Sequence, residues 1–587
     1  MSSAPKPGGD AKPGVPSSGE GKPGDGESKP VGGGAPAPPP PSAPPPDKKT
    51  FTVTFDGKPI EVPKDVNLIE AAKLAGIEIP HFCFHPRLSV VGQCRMCLVE
   101  VDGIPKIQAA CTTPLKDGLA IKTTTEKVVQ SRAANMEFLL INHPLDCPIC
   151  DQAGECKLQD NSFGYGDQKS DYDERKRQYP GFDRTLIGPH VIADMTRCIQ
   201  CTRCIRFCQE IAGTGELTFL DRGGRTLVWT HDGKPLANDW SACAADVCPV
   251  GALTAREFRF RSRVWYLEKA PSVCPGCNIG CNISIETQNS VVYRFLPRLN
   301  PAVNDYWLCD YGRFSSEKLN QRDIEKATIR RDGEASDAIV PAAIQHIAGE
   351  MKKTIDAAGP GGLFFLGSAH LSNEENFLLR KLADHLACGN RDATVDLSRV
   401  RRMKSKTDWI EGDHLGANFA GAKDMGMSPS DGGYGLEDVL TGKATPEVIF
   451  IADAAFGELV NDPVRVAVLR QARLLAVAGR TANALTRAAD VVLPAASLAE
   501  REGTFTNVQG RVQKFSRAFL PKPPIRAAWE LILLLCEALG YGDRNWKPDD
   551  LLRMIEAEVP DYGGVQSDEL SGGGFMKKGL FVSTGAL

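Results

Sequence analysis

Of the 19 cysteines in this chain of 587 residues, 17 fall between Cys83 and Cys309. That crowding limits what the first half can fold around. Its centre is Cys198-Ile-Gln-Cys201-Thr-Arg-Cys204, completed by Cys248-Pro249. Three thiols at every third position suit a loop that wraps one small object and presents a sulfur at each pass. A cubane [4Fe–4S] cluster has four iron corners, and C-x2-C-x2-C reaches three of them from one loop. The fourth ligand then comes from a distant Cys-Pro, where proline stops the backbone from coiling on. Zinc is the plainer alternative, but zinc sites usually pair two ligands with two more across a turn. Three consecutive thiols on one short loop point instead to iron–sulfur chemistry and electron transfer.

Disulfides are the other common use of so many cysteines. The N-terminus has neither an apolar signal core nor a twin-arginine pair, so metal in a reducing compartment is expected. A net charge of −4 gives no case for nucleic acid or anionic lipid. The longest aliphatic run, Leu531 to Leu535, is far below the roughly 20 residues needed to span a bilayer. Any membrane association is therefore expected through a partner. The length implies several domains.

Residues 1–49 are rich in Pro, Gly, Ser, Ala and Lys and read as a disordered extension. Order is expected from Thr50, with a hairpin over 51–62 and a short helix capped by Asn67. Cys83, Cys94, Cys97 and Cys111 follow on connecting loops, with a second hairpin around Asp102-Gly103. That layout suits a ferredoxin-like [2Fe–2S] domain, although the spacing is not the plant-type C-x4-C-x2-C. Thr123 to Glu126 reads as a capping box for a helix. The helix runs into His143, Cys147, Cys150 and Cys156. With no fourth cysteine nearby, His143 is the expected fourth ligand of a [4Fe–4S] cluster. A neutral imidazole would leave that cluster one negative charge lighter and raise its potential.

Cys208 follows Cys204 at the spacing that serves a second cubane in two-cluster ferredoxins. The partner positions Asn238, Ser241 and Ala244 carry no thiol, so one cluster is expected here and Cys208 and Cys243 are read as structural or vestigial. Cys274, Cys277, Cys281 and Cys309 form C-x2-C-x3-C-x27-C, which spacing alone leaves open between a further [4Fe–4S] cluster and a zinc ribbon.

From about Asp323 the texture becomes α/β. The apolar runs 362–366, 448–451 and 474–477 read as buried parallel strands, with helices over 463–471 and 481–489. No Gly-rich phosphate motif opens a helix there. The glycines of 431–442 and 503–510 read as turn residues, and 541–587 as a partly ordered tail.

Four such sites in this order resemble the large iron–sulfur subunit family in the NADH-oxidising arm of bacterial respiratory complex I, NADH:quinone oxidoreductase. The likeness runs from about Phe51 to about Phe519 and includes Val492-Leu-Pro494, Glu502-Gly-Thr-Phe505 and Gly510-Arg511, similar to a molybdopterin-oxidoreductase-like domain. The Cys274 set matches a cluster that only some bacterial members keep, which favours a bacterial origin. The resemblance implies a multidomain α+β and α/β fold. Its parts are a [2Fe–2S] ferredoxin-like domain (50–124), a helical segment with one His and three Cys ligands (125–168) and a [4Fe–4S] ferredoxin-like domain (169–266). A cluster-bearing entrance (267–322) and a shortened α/β domain without pterin (323–540) follow.

It also implies an electron-relay subunit with one [2Fe–2S] and three [4Fe–4S] clusters, the Cys274 cluster set apart from the path. No substrate site of its own is expected, and the flavin would sit in a neighbouring NADH-binding subunit. The implied location is the cytoplasmic face of the bacterial inner membrane, within the complex. The alternatives are an [FeFe]-hydrogenase-like protein and a molybdenum or tungsten formate dehydrogenase. Downstream of Cys309 only Cys388 and Cys536 remain, too few for the first, and no His directly follows Cys388 in Ala387-Cys388-Gly389 for the second. A zinc scaffold without redox function is the last alternative.

Overall fold

The computed structural model describes residues 49–167, 169–394, 416–430, 432–453, 459–565, 570 and 572–577. The expected disorder of 1–49 thus lies almost wholly outside the described residues.

Thr50–Phe55 and Lys58–Pro63 pair antiparallel, with Asp56 and Gly57 at positive φ in the turn between them. Two left-handed residues give the tight reversal that matches strand twist. The first strand also runs parallel to Ala120–Lys122, and Leu98–Val101 and Ile104–Ala109 complete a five-stranded sheet. Val53, Phe55, Val62, Leu68 and Val99 form its core, all fully buried. The helix Leu68–Leu74 starts as expected, with Asn67 accepting from the Ile69 N–H and Glu70 reaching back to the Asn67 N–H. The second capping box does not form. Glu126–Leu140 is capped by Thr125, while Thr123 is drawn off by Asp56, which accepts from its N–H at 2.7 Å and its hydroxyl at 2.5 Å.

Beyond this sheet the first half has little regular structure. Thr185–Leu186, Val191–Ala193 and Leu253–Ala255 make a small sheet, and Leu217–Leu220 pairs with Leu227–Thr230. Glu268–Val273, Asn282–Gln288 and Val291–Pro297 form an antiparallel three-stranded sheet.

The second half is built on a seven-stranded sheet. The three expected strands are neighbours in it, as Leu363–Ser368, Val448–Ile451 and Leu474–Gly479, all parallel and buried along their length. Arg391–Thr394 and Val491–Pro494 extend the parallel set, and Ala327–Arg331 and Glu334–Ala338 add an antiparallel edge. Val340–Ala358, Asn373–His385 and Ala528–Leu539 cover it.

One expectation changes, and the tail carries regular structure in its described part. The tail contains Pro548–Glu558, which packs its buried Leu551 and Ile555 against Asn373–His385. Phe575–Met576 adds a strand beside Arg511–Phe515. Gly503 is not a turn residue. It opens the strand Gly503–Thr506, where a Cβ would lie 2.8 Å from both Ser372 Cβ and Glu374 Oε2, so only glycine permits that approach. No described helix is long and apolar enough to cross a membrane.

Candidate metal centres

Among the described residues no three His, Cys, Asp or Glu side chains are gathered tightly enough for a single metal ion. The test of a cluster is whether each thiol set converges and whether its loops leave room.

At the first set, Cys97 precedes a strand and Cys111 sits in the turn Ala110–Thr112, joined by Ala110 N–H donating to Cys97 O at 2.8 Å. The helix cap Asn67 also fixes Cys111 by donating to its carbonyl at 2.8 Å. Phe82 N–H points at Cys94 Sγ, 3.4 Å away. Contacts from Cys111 and Cys94 pull the Cys83 thiol far down, and contact with Cys111 lowers Cys97, while Cys94 and Cys111 are pushed up. The Cys83 side chain thus lies in hydrogen-bonding reach of Cys94 and Cys111, and Cys97 in reach of Cys111, so the four thiols face one another.

The central set is the clearest. Cys198, Cys201, Cys204 and Cys248 line one small cavity whose other walls are apolar apart from Thr202, including Met195, Ile199, Val228 and Val250. Gln200 and Thr202 take φ values of 54° and 62°, which coil the loop tightly enough to return a sulfur every third residue. Gln200 N–H points at Cys198 Sγ at 3.3 Å. Burial pushes the Cys198 and Cys248 thiols up to about 12, so free thiols here would be neutral and only an electropositive centre would ionise them.

The last set converges similarly. Cys274 N–H donates to Cys281 O at 2.8 Å, Gly276 N–H points at Cys274 Sγ, and Gly312 N–H points at Cys309 Sγ at 3.2 Å. A Cβ at Gly312 would lie 2.8 Å from Cys274 Sγ, so glycine is required where the Asp310–Phe314 turn closes on the thiols.

Cys147, Cys150 and Cys156 interact through mutual charge, but the structure does not join His143 to them directly. Its charged neighbours are Arg197, Lys176 and Asp146. Burial, then those cations, hold the imidazole down to about 4, so at neutral pH it keeps a lone pair for a metal. Arg263 braces the loop by donating to the carbonyls of Cys150 at 2.6 Å and Pro148 at 2.5 Å. Cys208 and Cys243 stand apart. Both are fully buried, and Cys243 donates to Leu308 O at 3.2 Å. Cys388 is buried under the sheet against Leu363 O.

The order in space differs from the order in sequence. Arg206 Nη2 donates both to Cys83 O at 2.6 Å and to Cys201 O at 3.2 Å. On the other side, Lys157 N–H donates to Pro249 O at 3.2 Å, and any side chain at Gly251 would collide with Cys150 Sγ. The Cys198 loop and its Cys248 return therefore stand between the Cys83 thiols and the Cys150 thiols.

Five family models match in series. A 2Fe-2S iron-sulfur cluster binding domain covers 48–126, the NADH-ubiquinone oxidoreductase-G iron-sulfur binding region 132–171, and the NADH-quinone oxidoreductase subunit 3 ferredoxin-like domain 188–254. An NDSU1/NuoG-like 4Fe-4S domain covers 268–317 and a molybdopterin oxidoreductase domain 397–538. The G-type subunit of NADH-quinone oxidoreductase from Rickettsia felis is 40% identical over 338 residues, 58% of this chain and 49% of the relative.

The chain is a homologue of the G-type subunit of NADH-quinone oxidoreductase. The corresponding protein of Streptomyces coelicolor is 36% identical over 81% of this chain and 55% of its own length. The mitochondrial NADH dehydrogenase iron-sulfur protein 1 of Solanum tuberosum is 44% identical over 47% of this chain and 37% of its length. The chain spans about half the length, or less, of these relatives. The domain series of the G-type subunit is present in order, from [2Fe–2S] domain to molybdopterin-oxidoreductase-like domain. What spacing alone did not single out are the arginines and glycines around the thiols. Arg203 and Arg206 were in plain view, each two residues after a cysteine in Cys201-Thr-Arg203-Cys204-Ile-Arg206.

Proposed function

We propose that the chain is an electron-relay subunit of an NADH:quinone oxidoreductase on the cytoplasmic face of a bacterial inner membrane. Its neighbour would be a flavin- and NADH-binding subunit. The residues that would hold clusters are Cys83, Cys94, Cys97 and Cys111 for [2Fe–2S], and His143, Cys147, Cys150 and Cys156 for [4Fe–4S]. Cys198, Cys201, Cys204 and Cys248 would hold a second [4Fe–4S], and Cys274, Cys277, Cys281 and Cys309 a third, off the path. No pterin is expected in the α/β domain.

When bound, such clusters supply one-electron storage at low potential. The chain's own part is to hold, space and dry them. The observation that carries the reading is the position of the Cys198 loop against the Cys83 and Cys150 sets, through Arg206 on one side and Pro249 and Gly251 on the other. Short-range hopping needs that adjacency. At the His143 end, Leu145 and Phe163 are 88% and 85% exposed, an apolar surface that suits a partner chain.

The test is iron and acid-labile sulfide analysis of anaerobically purified protein, with EPR of the reduced form. One two-iron and three four-iron clusters give about 14 iron atoms. About ten, with zinc present, would reassign the Cys274 set, and protein without iron–sulfur signals would sink the proposal.

A further inference from the structure

The junction between the Cys83 and Cys201 loops holds two buried positive charges with no acid to balance them. Arg203 and Arg206 are each 5% exposed. Arg206 spends its donors on neutral oxygens, at Cys83 O, Cys201 O, Ser89 O and Thr202 Oγ1. Arg203 Nη2 donates to Phe84 O, and its Nε is buried without a partner. Glu210, one turn beyond Arg206, is instead bound by Ser89 through its N–H and hydroxyl. Among the described residues no carboxylate forms an ion pair with either guanidinium.

Three other arginines near the thiol sets differ. Arg197, beside Cys150, pairs with Asp146 at 3.0 Å and Asp194 at 3.5 Å. Arg294 pairs with Glu155 and Glu286. Arg313, next to the Cys309 turn, pairs with Asp246. Burying an uncompensated charge costs several kcal/mol, so a fold that keeps two must balance them by other means. The facing groups are the thiol ligands themselves, which become thiolates on binding a centre.

We propose that Arg203 and Arg206 form a fixed cationic bridge that raises the reduction potentials of the clusters held by the Cys83 and the Cys198 sets together. The inference rests on the cluster reading above. Reduction adds one negative charge to a cluster, and a guanidinium in a low-dielectric junction favours that state. Arg206 adds a positional role, because one nitrogen ties the backbones of ligands from both sets. At the His143 and Cys274 sets Arg197, Arg294 and Arg313 are paired with carboxylates, which offset their share of the corresponding effect.

The experiment is an EPR-monitored redox titration of the cluster-replete full chain carrying Arg203→Gln or Arg206→Gln. Both variants should move the midpoints of the Cys83 and Cys198 clusters to lower potential and leave the other two in place. Arg206→Lys keeps the charge and should keep the midpoints, while losing the double carbonyl bond and altering the signal line shapes. Unchanged midpoints in a cluster-replete Gln variant overturn the proposal. So does an equal shift at all four sites, or loss of iron from both Gln variants, which would make the arginines a folding element. Wild-type protein lacking the signals would instead sink the cluster reading, so the two failures are distinguishable.

Discussion

Residues 50–322 and 323–577 solve the problem of making a core in opposite ways. In the second region the chain buries long apolar strands. Leu363–Ser368 and Leu474–Gly479 are buried at every position, and helices cover the sheet. In the first, several strands are two or three residues long, and the core is shared between apolar side chains and thiols. Cys156, Cys201, Cys204, Cys274, Cys277, Cys281 and Cys309 all belong to one large cluster of buried residues, which lies mostly in this region but takes in Ala417, Leu498, Ala499, Phe505 and Phe515 of the second. The first region also buries Asp194, Arg197, Arg203, Arg206, Asp310 and Arg313. The difference teaches where stability resides. One region closes its core by hydrophobic burial, the other also by burying thiols and charged side chains on its loops.

The largest expected effect follows directly. Removing iron with a chelator under reducing conditions should unfold much of 50–322 and leave the seven-stranded sheet standing. Hydrogen exchange read by mass spectrometry checks this. Protection should collapse in peptides around Cys198–Cys204 and Cys274–Cys281, and persist in 363–368 and 474–479. Equal loss in both regions would erase the distinction.

The converse substitution lies in the second region. Phe450 is fully buried on a central strand. Phe450→Ala should cost about 3–5 kcal/mol of stability through lost transfer energy and a cavity, with iron content per folded chain unchanged. Chemical denaturation paired with iron analysis measures both. Iron lost in proportion to stability would mean the two regions fold as one unit.

A smaller effect depends on pH. Glu374 is buried beneath Gly503, accepting from the Thr504 N–H at 2.9 Å and the Thr504 hydroxyl at 2.8 Å. Burial pushes its carboxyl up to about 7 from 4.5. A raised carboxyl binds its proton more tightly when folded, so its stabilisation is complete below about pH 4.5 and is lost as pH rises through 7. From 4.5 to 7 the shift corresponds to about 3 kcal/mol. Melting temperature should therefore fall between pH 5 and 8, and Glu374→Gln should flatten the slope. A wild-type profile flat over that range would rule out the buried acid.

The thiol spacing pointed to the iron–sulfur domains that the family models match, because cluster ligation would impose short, fixed offsets. The three buried strands were equally plain, since a strand covered on both faces is apolar throughout. What stayed hidden was set by contacts distant in sequence. Nothing in Thr123 says that Asp56 will take its hydroxyl and leave Thr125 to cap the helix. Nothing in Gly251 says that Cys150 lies against it. The spatial order of the ligand sets was hidden for the same reason, because it depends on the long return from Cys204 to Cys248. Pro548–Glu558 was missed because flanking glycines obscured its apolar face.

The smallest expected effect asks whether every buried thiol in the first region is a ligand. Cys208 lies in the helical turn after Cys204 and is fully buried. It is absent from the cavity that the four central thiols line, and its carbonyl accepts from Thr214 and Gly215 N–H. Burial pushes its thiol up to about 12, the state of a neutral packing group. Free cysteine behaves as a small hydrophobe, so Cys208→Ser should cost about 1 kcal/mol, the usual scale of a modest core change. All the iron should remain. Loss of four irons from a folded Cys208→Ser chain would show that the fold of this region leans on a fifth thiol near the central site, and that sulfur burial and ligation cannot be separated there.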